Sequence, residues 1–131
     1  MKKRGILNSD IAGVLADMGH TDTICIADAG LPVPQSVMKI DLALKEGMPS
    51  FIDVVKTVLD DMQVEKIILA EEIKENNPAA FCELIRLLGS AEAEYIPHSR
   101  FKERLSECRA VIRTGEMSPY ANIILQSGCI F

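Results

Sequence analysis

Apolar positions recur along the chain with two periods, and the changes between them mark its elements. In "SDIAGVLADMGH", Ile11, Val14, Leu15 and Met18 fall at helical spacing. Ser9 is placed as the cap of this helix and Gly19 where a left-handed stop belongs. "TICIADA" is a nearly continuous apolar run bounded by polar residues and Gly30, the pattern of a strand buried on both faces, with Asp28 at its carboxyl end. Beyond the "GLPVP" turn, "SVMKIDLAL" alternates as a second strand. "PSFIDVVKTVLDDM" then returns to helical period, with Ser50 and Asp53 as a capping box and Phe51, Val54, Val55, Val58 and Leu59 on one stripe.

The second half continues the alternation. "EKIILAE" reads as a strand, and "KENN" as a solvated helix start. "NNPAAFCELIRLLG" is a helix with an Asn cap, Pro78 in its first turn and Gly89 at its end. "AEYIPH" is a short strand ended by Pro97, with His98 on the loop beyond, and "SRFKERLSEC" is a short amphipathic helix capped by Ser99. "AVIRTG" and "YANIIL" are two further strands, joined through the turn formers of "GEMSP". This order predicts an α/β fold: a single three-layer α/β/α domain over residues 1–131, with a mixed but mostly parallel sheet covered on both faces. In such sheets functional groups gather beyond the carboxyl ends of strands.

Charge and composition narrow the function classes. The 14 basic and 19 acidic residues leave a formal net charge of −5, and no stretch concentrates lysine and arginine, which disfavours nucleic acid as a partner. The longest apolar runs fall far short of the roughly 20 residues that span a bilayer, and "MKKRG" is not followed by the apolar segment of a secretory leader. Membrane partners are therefore not expected. Cys25, Cys82, Cys108 and Cys129 are scattered and read as reduced, core-like thiols of a cytoplasmic protein. No spacing offers a zinc site, and no dinucleotide fingerprint, Walker loop or nucleophile elbow occurs, so neither metal nor cofactor is expected. "RTGE" holds a lone glycine turn, too short to argue for phosphate binding.

The chain has only two histidines, His20 and His98, and both fall beside predicted strands. A histidine past a helix end can simply satisfy the last carbonyls, so His20 admits a structural role as well as a chemical one. Asp28, on the edge of an apolar strand, needs a donor, because an unpaired buried carboxylate is costly. Tyr120 and Asn122 alternate as one face of a strand, with Ala121 pointing the other way. Together these residues predict one cleft holding two imidazoles, a carboxylate, a phenol and an amide. Such a set binds a polyol and moves protons without naming the polyol.

Four stretches, "KKRGILNSDIAGVLADMGHTD", "IADAGLPVP", "IRTGE" and "PYANIILQSGCIF", occur in an order that resembles the bacterial ribose/fucose mutarotase family. The resemblance runs over essentially the whole chain, and "ADAGLPVP" with "GILNS" is similar to the ribose branch. It implies interconversion of the pyranose and furanose forms of D-ribose without a cofactor. It further implies that His20 is the proton donor, and that Asp28, His98, Tyr120, Ala121 and Asn122 bind the sugar. The implied assembly is a cytoplasmic homo-oligomer, a decamer of two stacked five-membered rings, with sites near subunit contacts. The apolar ending "GCIF" fits a tail buried against the body or a neighbour. Opening a hemiacetal needs a group that gives and takes protons near neutrality, and an imidazole, with an unperturbed pKa of ~6.5, suits both directions. Mutarotation of L-fucose, or non-catalytic sugar binding beside a transporter, are the competing expectations.

Overall fold

Five parallel strands and one reversed strand form the centre of the computed structural model, which describes residues 1–131. The strands are β1 (Thr23–Ala27), β2 (Met38–Asp41), β3 (Val64–Ala70), β4 (Glu92–Ile96), β5 (Ala110–Arg113) and β6 (Ile123–Ser127). Their order across the sheet is β2-β5-β1-β6-β3-β4, with β6 antiparallel to both β1 and β3. The helices are α1 (Ser9–Asp17), α2 (Phe51–Leu59), α3 (Ile73–Asn76), α4 (Pro78–Leu88) and α5 (His98–Arg104). The predicted α/β architecture with a mixed, mostly parallel sheet is what the chain adopts.

Strand alternation divides the core in two. Ile24 and Ile26 of β1 join Ile67, Leu69, Ile112, Ile123 and Leu125 on the face covered by Ile11, Phe51, Val55, Ile73 and Leu84 of helices α1 to α4. Cys25, Ala27, Ile68, Val111 and Ile124 face the other way, onto Phe101 and Leu105 of the α5 segment and onto Leu31 and Val37 of the loop after β1. Fully burying such side chains stabilises by roughly 1.5–3 kcal/mol each, and all four of the last β1 residues are buried. That fixes both ends of β1 in space, and the candidate chemistry sits at those ends.

The helix caps agree with the sequence at α2 and α4 and depart from it at α1 and α5. Ser50 Oγ accepts the Asp53 N–H at 3.2 Å and donates to Asp53 Oδ2 at 2.8 Å, as the capping box requires. Asn77 Oδ1 accepts the Ala80 N–H at 3.3 Å, with Pro78 opening α4. At α1 the cap is Asn8, not Ser9: its Oδ1 accepts the N–H groups of Asp10 and Ile11, both at 3.0 Å. The left-handed residue after α1 is Thr21 (φ 71°), not Gly19, because the chain leaves the helix through extended Met18 before turning. Gly89 also stays right-handed. The first three residues of "KENN" belong to α3, a helical turn anchored by fully buried Ile73, and its last, Asn77, is the cap of α4. Of the four cysteines, all free, Cys25 and Cys108 are buried as expected, whereas Cys82 and Cys129 are exposed. Burial pushes the Cys25 thiol well above its ordinary value and that of Cys108 to about 11, so neither is a nucleophile near neutrality.

Candidate active site

The carboxyl end of β1 places Asp28 against Asn122. Asp28 Oδ2 accepts from Asn122 Nδ2 at 2.9 Å, and the Asp28 N–H donates to Asn122 Oδ1 at 2.9 Å. The other carboxylate oxygen accepts the Gly30 N–H at 2.9 Å. The donor that a half-buried aspartate requires is therefore an amide that is itself completely buried. Only this orientation of the Asn122 amide matches donor to acceptor at both contacts. β6 starts at Ile123, so the three residues before it do not alternate on a strand face as the sequence predicted. Tyr120 is left-handed (φ 56°), and the Asn122 N–H closes a tight turn onto the Tyr120 carbonyl at 2.8 Å. Ala121 is fully buried in the core.

That turn brings Tyr120 to His98. Their rings meet edge to face, 5.1 Å between centroids and 89° between planes. His98 is not on a loop but is the first residue of α5, and its ring stacks on Phe101 at 6.2 Å and 12°. Ser99 does not cap this helix. Pro97 occupies the cap position, and the His98 N–H donates to both carboxylate oxygens of Glu72 at 3.0 Å. The Nδ1 of His98 is buried and has no hydrogen-bond partner in the protein.

A cleft of about 410 Å³ opens beside Asp28, bordered by Gly30, Arg113, Glu116, Ser118 and Pro119. Glu116 braces it: Oε1 accepts the Ser118 N–H at 3.1 Å and its hydroxyl at 2.9 Å, and Oε2 accepts the Phe51 N–H at 3.2 Å. Burial pushes the Glu116 carboxyl up, but these donors outweigh it and hold the group below its ordinary range. Arg113 Nε donates to the Ala29 carbonyl at 2.9 Å while Nη1 bonds both Asp41 oxygens at 3.0 and 3.2 Å. Sequence reasoning passed over Glu116 and Arg113, which flank the plain turn in "RTGE". Their relevance depends on β5 lying beside β1, and no local pattern encodes strand order. Glu72 carried no signal either.

His20 lies elsewhere. It precedes β1 whereas Asp28 follows it, and the five residues of that strand span roughly 13 Å at ~3.3 Å per residue. The single cleft predicted for both residues does not form within one chain. His20 borders a second cleft of about 430 Å³ with Met18, Asp61, Gln63 and the C-terminal residues. Its Nε2 is 2.9 Å from Glu65 Oε2. The apolar tail is not buried against the body, since Ile130 and Phe131 are 88% and 104% exposed. No group of three or more His, Cys, Asp or Glu side chains is arranged around a common metal position. No helix is long and apolar enough to cross a membrane.

Comparison with known proteins gives this geometry a family. Residues 1–130 match the model of the RbsD / FucU transport protein family. A D-ribose pyranase from Bacillus cytotoxicus is 55% identical and one from Lactobacillus acidophilus 56%, each over all 131 residues and the full length of both chains. Among solved structures, Bacillus subtilis RbsD complexed with D-ribose superimposes with a TM-score of 0.98 at 54% identity, covering all of both chains. The fucose mutarotase of Streptococcus pneumoniae in complex with L-fucose gives a TM-score of 0.81 at 24% identity over 95% of each chain, a likeness of fold. With its whole length matched and more than half its residues shared, the chain belongs to the RbsD / FucU family.

Proposed function

We propose that residues 1–131 act as a single sugar mutarotase domain, a D-ribose pyranase that interconverts the pyranose and furanose forms of D-ribose. The observation that carries the reading is the polar pocket at the end of β1. There Asp28 and Asn122 are locked together, and Tyr120, two residues before Asn122, meets the ring of His98, whose buried Nδ1 lacks a partner. A sugar hydroxyl is both donor and acceptor, so it suits an unpartnered ring nitrogen beside a carboxylate and a phenol. The full-length relatives more than half identical to this chain are named as ribose enzymes, which favours ribose over fucose.

The reaction opens the hemiacetal by removing the anomeric hydroxyl proton while protonating the ring oxygen, then recloses through a different hydroxyl. His20 serves as the proton donor. Asp28, His98, Tyr120, the Ala121 backbone and Asn122 hold the hydroxyls, with His98 as complementary base. Because His20 and Asp28 stand at opposite ends of β1, the complete site draws His20 from one subunit and the Asp28 pocket from another. The exposed Ile130 and Phe131 beside His20 supply apolar surface for that contact. The assembly this supports is a homo-oligomer, a decamer of two stacked pentameric rings, acting in the cytoplasm without metal or cofactor.

Positioned proton transfer contributes about 10²–10⁴-fold, enough for a reaction that proceeds unaided in water. Saturation-transfer NMR of D-ribose measures ring-form exchange directly. Wild-type protein should accelerate it, with L-fucose responding less, and His20→Ala should abolish the acceleration while the fold survives. Binding of ribose without faster exchange would replace the enzyme by a sugar-binding module.

A further inference from the structure

Glu65 is the extra residue of a β-bulge. Val64 pairs with Ser127 and Lys66 with Gln126, so Glu65 alone lacks a partner across β6. A bulge re-aims the side chain it releases, and here that side chain reaches His20. Glu65 Oε2 lies 2.9 Å from His20 Nε2, while Oε1 accepts from Gln126 Nε2 at 2.7 Å. The glutamine amide and then the imidazole hold the Glu65 carboxyl below its ordinary range, which keeps it an acceptor. The backbone leaves room for this arrangement at Gly128, where a Cβ would sit 3.0 Å from Glu65 Cβ and 3.4 Å from Oε2.

The backbone that carries His20 is fixed as well. The Thr21 N–H donates to the Ser127 carbonyl at 3.0 Å, the Ser127 N–H to the Asp22 carbonyl at 2.8 Å, and the Gly19 N–H to Asp22 Oδ2 at 2.9 Å. Arg109 ties Asp22 to Asp17 on α1. The other charged side chain bordering the cleft, Asp61, makes no hydrogen bond to the ring. Both members of the His20–Glu65 pair are more than a third exposed, and ion pairs so exposed contribute little to stability. A bulge, an amide brace and a glycine contact spent on such a pair call for another explanation.

We infer that Glu65, braced by Gln126, is a positioning residue that keeps a proton on His20 Nε2 and so makes Nδ1 the nitrogen that exchanges a proton with the sugar. An ionised carboxylate only accepts, so its partner nitrogen must carry hydrogen in both charge states of the ring. In the forward step the imidazolium Nδ1–H protonates the ring oxygen as the C1–O bond breaks and its electron pair moves to that oxygen. The anomeric hydroxyl gives its proton to the complementary base, and C1 becomes a carbonyl. On reclosure the attacking hydroxyl forms the new C1–O bond and yields its proton to Nδ1, the carbonyl oxygen recovers a proton from the base, and both groups are restored.

This inference rests on His20 being the proton donor, and the test separates the two. Long-range ¹H–¹⁵N NMR of the assembled protein reads the His20 tautomer, and saturation transfer on D-ribose reads exchange. The expected wild-type ring in its neutral form is Nε2–H. Glu65→Ala should mix the tautomers and slow exchange by about 10–100-fold, part of what a positioned proton transfer contributes, with ribose affinity kept within about twofold. Glu65→Gln, which retains an acceptor oxygen, should keep more of both. An Nδ1–H wild-type ring, or Glu65→Ala with wild-type exchange, overturns the inference. If exchange also survives His20→Ala, the proton-donor reading itself has failed; if only Glu65→Ala is silent, the positioning role alone has.

Discussion

Replacing Asn122 by aspartate changes one NH₂ into an oxygen at the point where the Asp28 carboxylate expects a donor. The contact is 2.9 Å and position 122 is completely buried. Two carboxylates at that separation repel by roughly 5–6 kcal/mol at an effective dielectric near 20. The cheaper route is for the pair to retain one proton. At pH 7, about three units above an ordinary aspartate pKa of ~3.9, holding that proton costs ~4 kcal/mol at ~1.36 kcal/mol per unit. Asp28 is partly open to solvent, which lowers the figure, so the expected loss is about 2–4 kcal/mol at pH 7.

The sign follows from proton counting. The folded variant keeps a proton that its unfolded chain releases above pH ~4, so its stability falls as pH rises and the penalty nearly vanishes toward pH 4. Thermal unfolding at fixed protein concentration is a sufficient assay. A drop of roughly 8–16 °C relative to wild type at pH 7, using about 4 °C per kcal/mol for a chain of this size, should shrink to a few degrees at pH 4.5. The double variant Asp28→Asn with Asn122→Asp exchanges the two groups and keeps the reciprocal pair of bonds, so it should recover most of the loss at pH 7. Equal losses at both pH values, or a double variant no better than the single one, would refute the claim that a reciprocal donor–acceptor pair holds this pocket.

The C-terminal residues Cys129 to Phe131 are exposed, so deleting them should leave secondary structure intact while weakening assembly and, with it, ribose binding. Sedimentation and ribose titration check this, and a fully assembled truncation with unchanged affinity removes the tail from the interface. Native protein should lose at most Cys82 and Cys129 to iodoacetamide, with Cys25 and Cys108 reacting only after unfolding, as counted by intact mass. Glu116, held below its ordinary range, contributes stability that is present above pH ~4.5 and is lost as pH falls through its lower folded value. Glu116→Gln should therefore cost about 1–3 kcal/mol near neutrality and flatten the acid limb of an unfolding-versus-pH curve.

Legibility followed the range of each interaction. The α2 cap was readable because Ser50 and Asp53 are three residues apart. β1 was readable because both its faces are covered and its composition shows it. Asn8 was missed beside Ser9 because two adjacent capping residues compete and the chain direction into the helix decides between them. The turn before β6 was misread for a related reason. Tyr120 takes a left-handed backbone that its residue type does not advertise, and what holds it there is the Asn122 clamp and the packing of Ala121, both formed with residues far away in sequence.

The single cleft expected for His20 and Asp28 is the most instructive of these departures. Its position before β1 and that of Asp28 after it are both plain in "GHTDTICIADAG", and the distance between them follows from strand rise alone. A strand that is buried on both faces cannot fold back to join its ends. The expectation of one cleft was thus in conflict with the expectation of a strand, and the strand prevailed because four consecutive buried side chains fix it. Two partial sites at opposite ends of one strand can act on a single small molecule only if separate copies of the chain bring them together. An exposed apolar tail borders the His20 cleft, so on the proposed roles of His20 and the Asp28 pocket, the strand that separates these groups in one chain makes assembly a condition of the proposed chemistry.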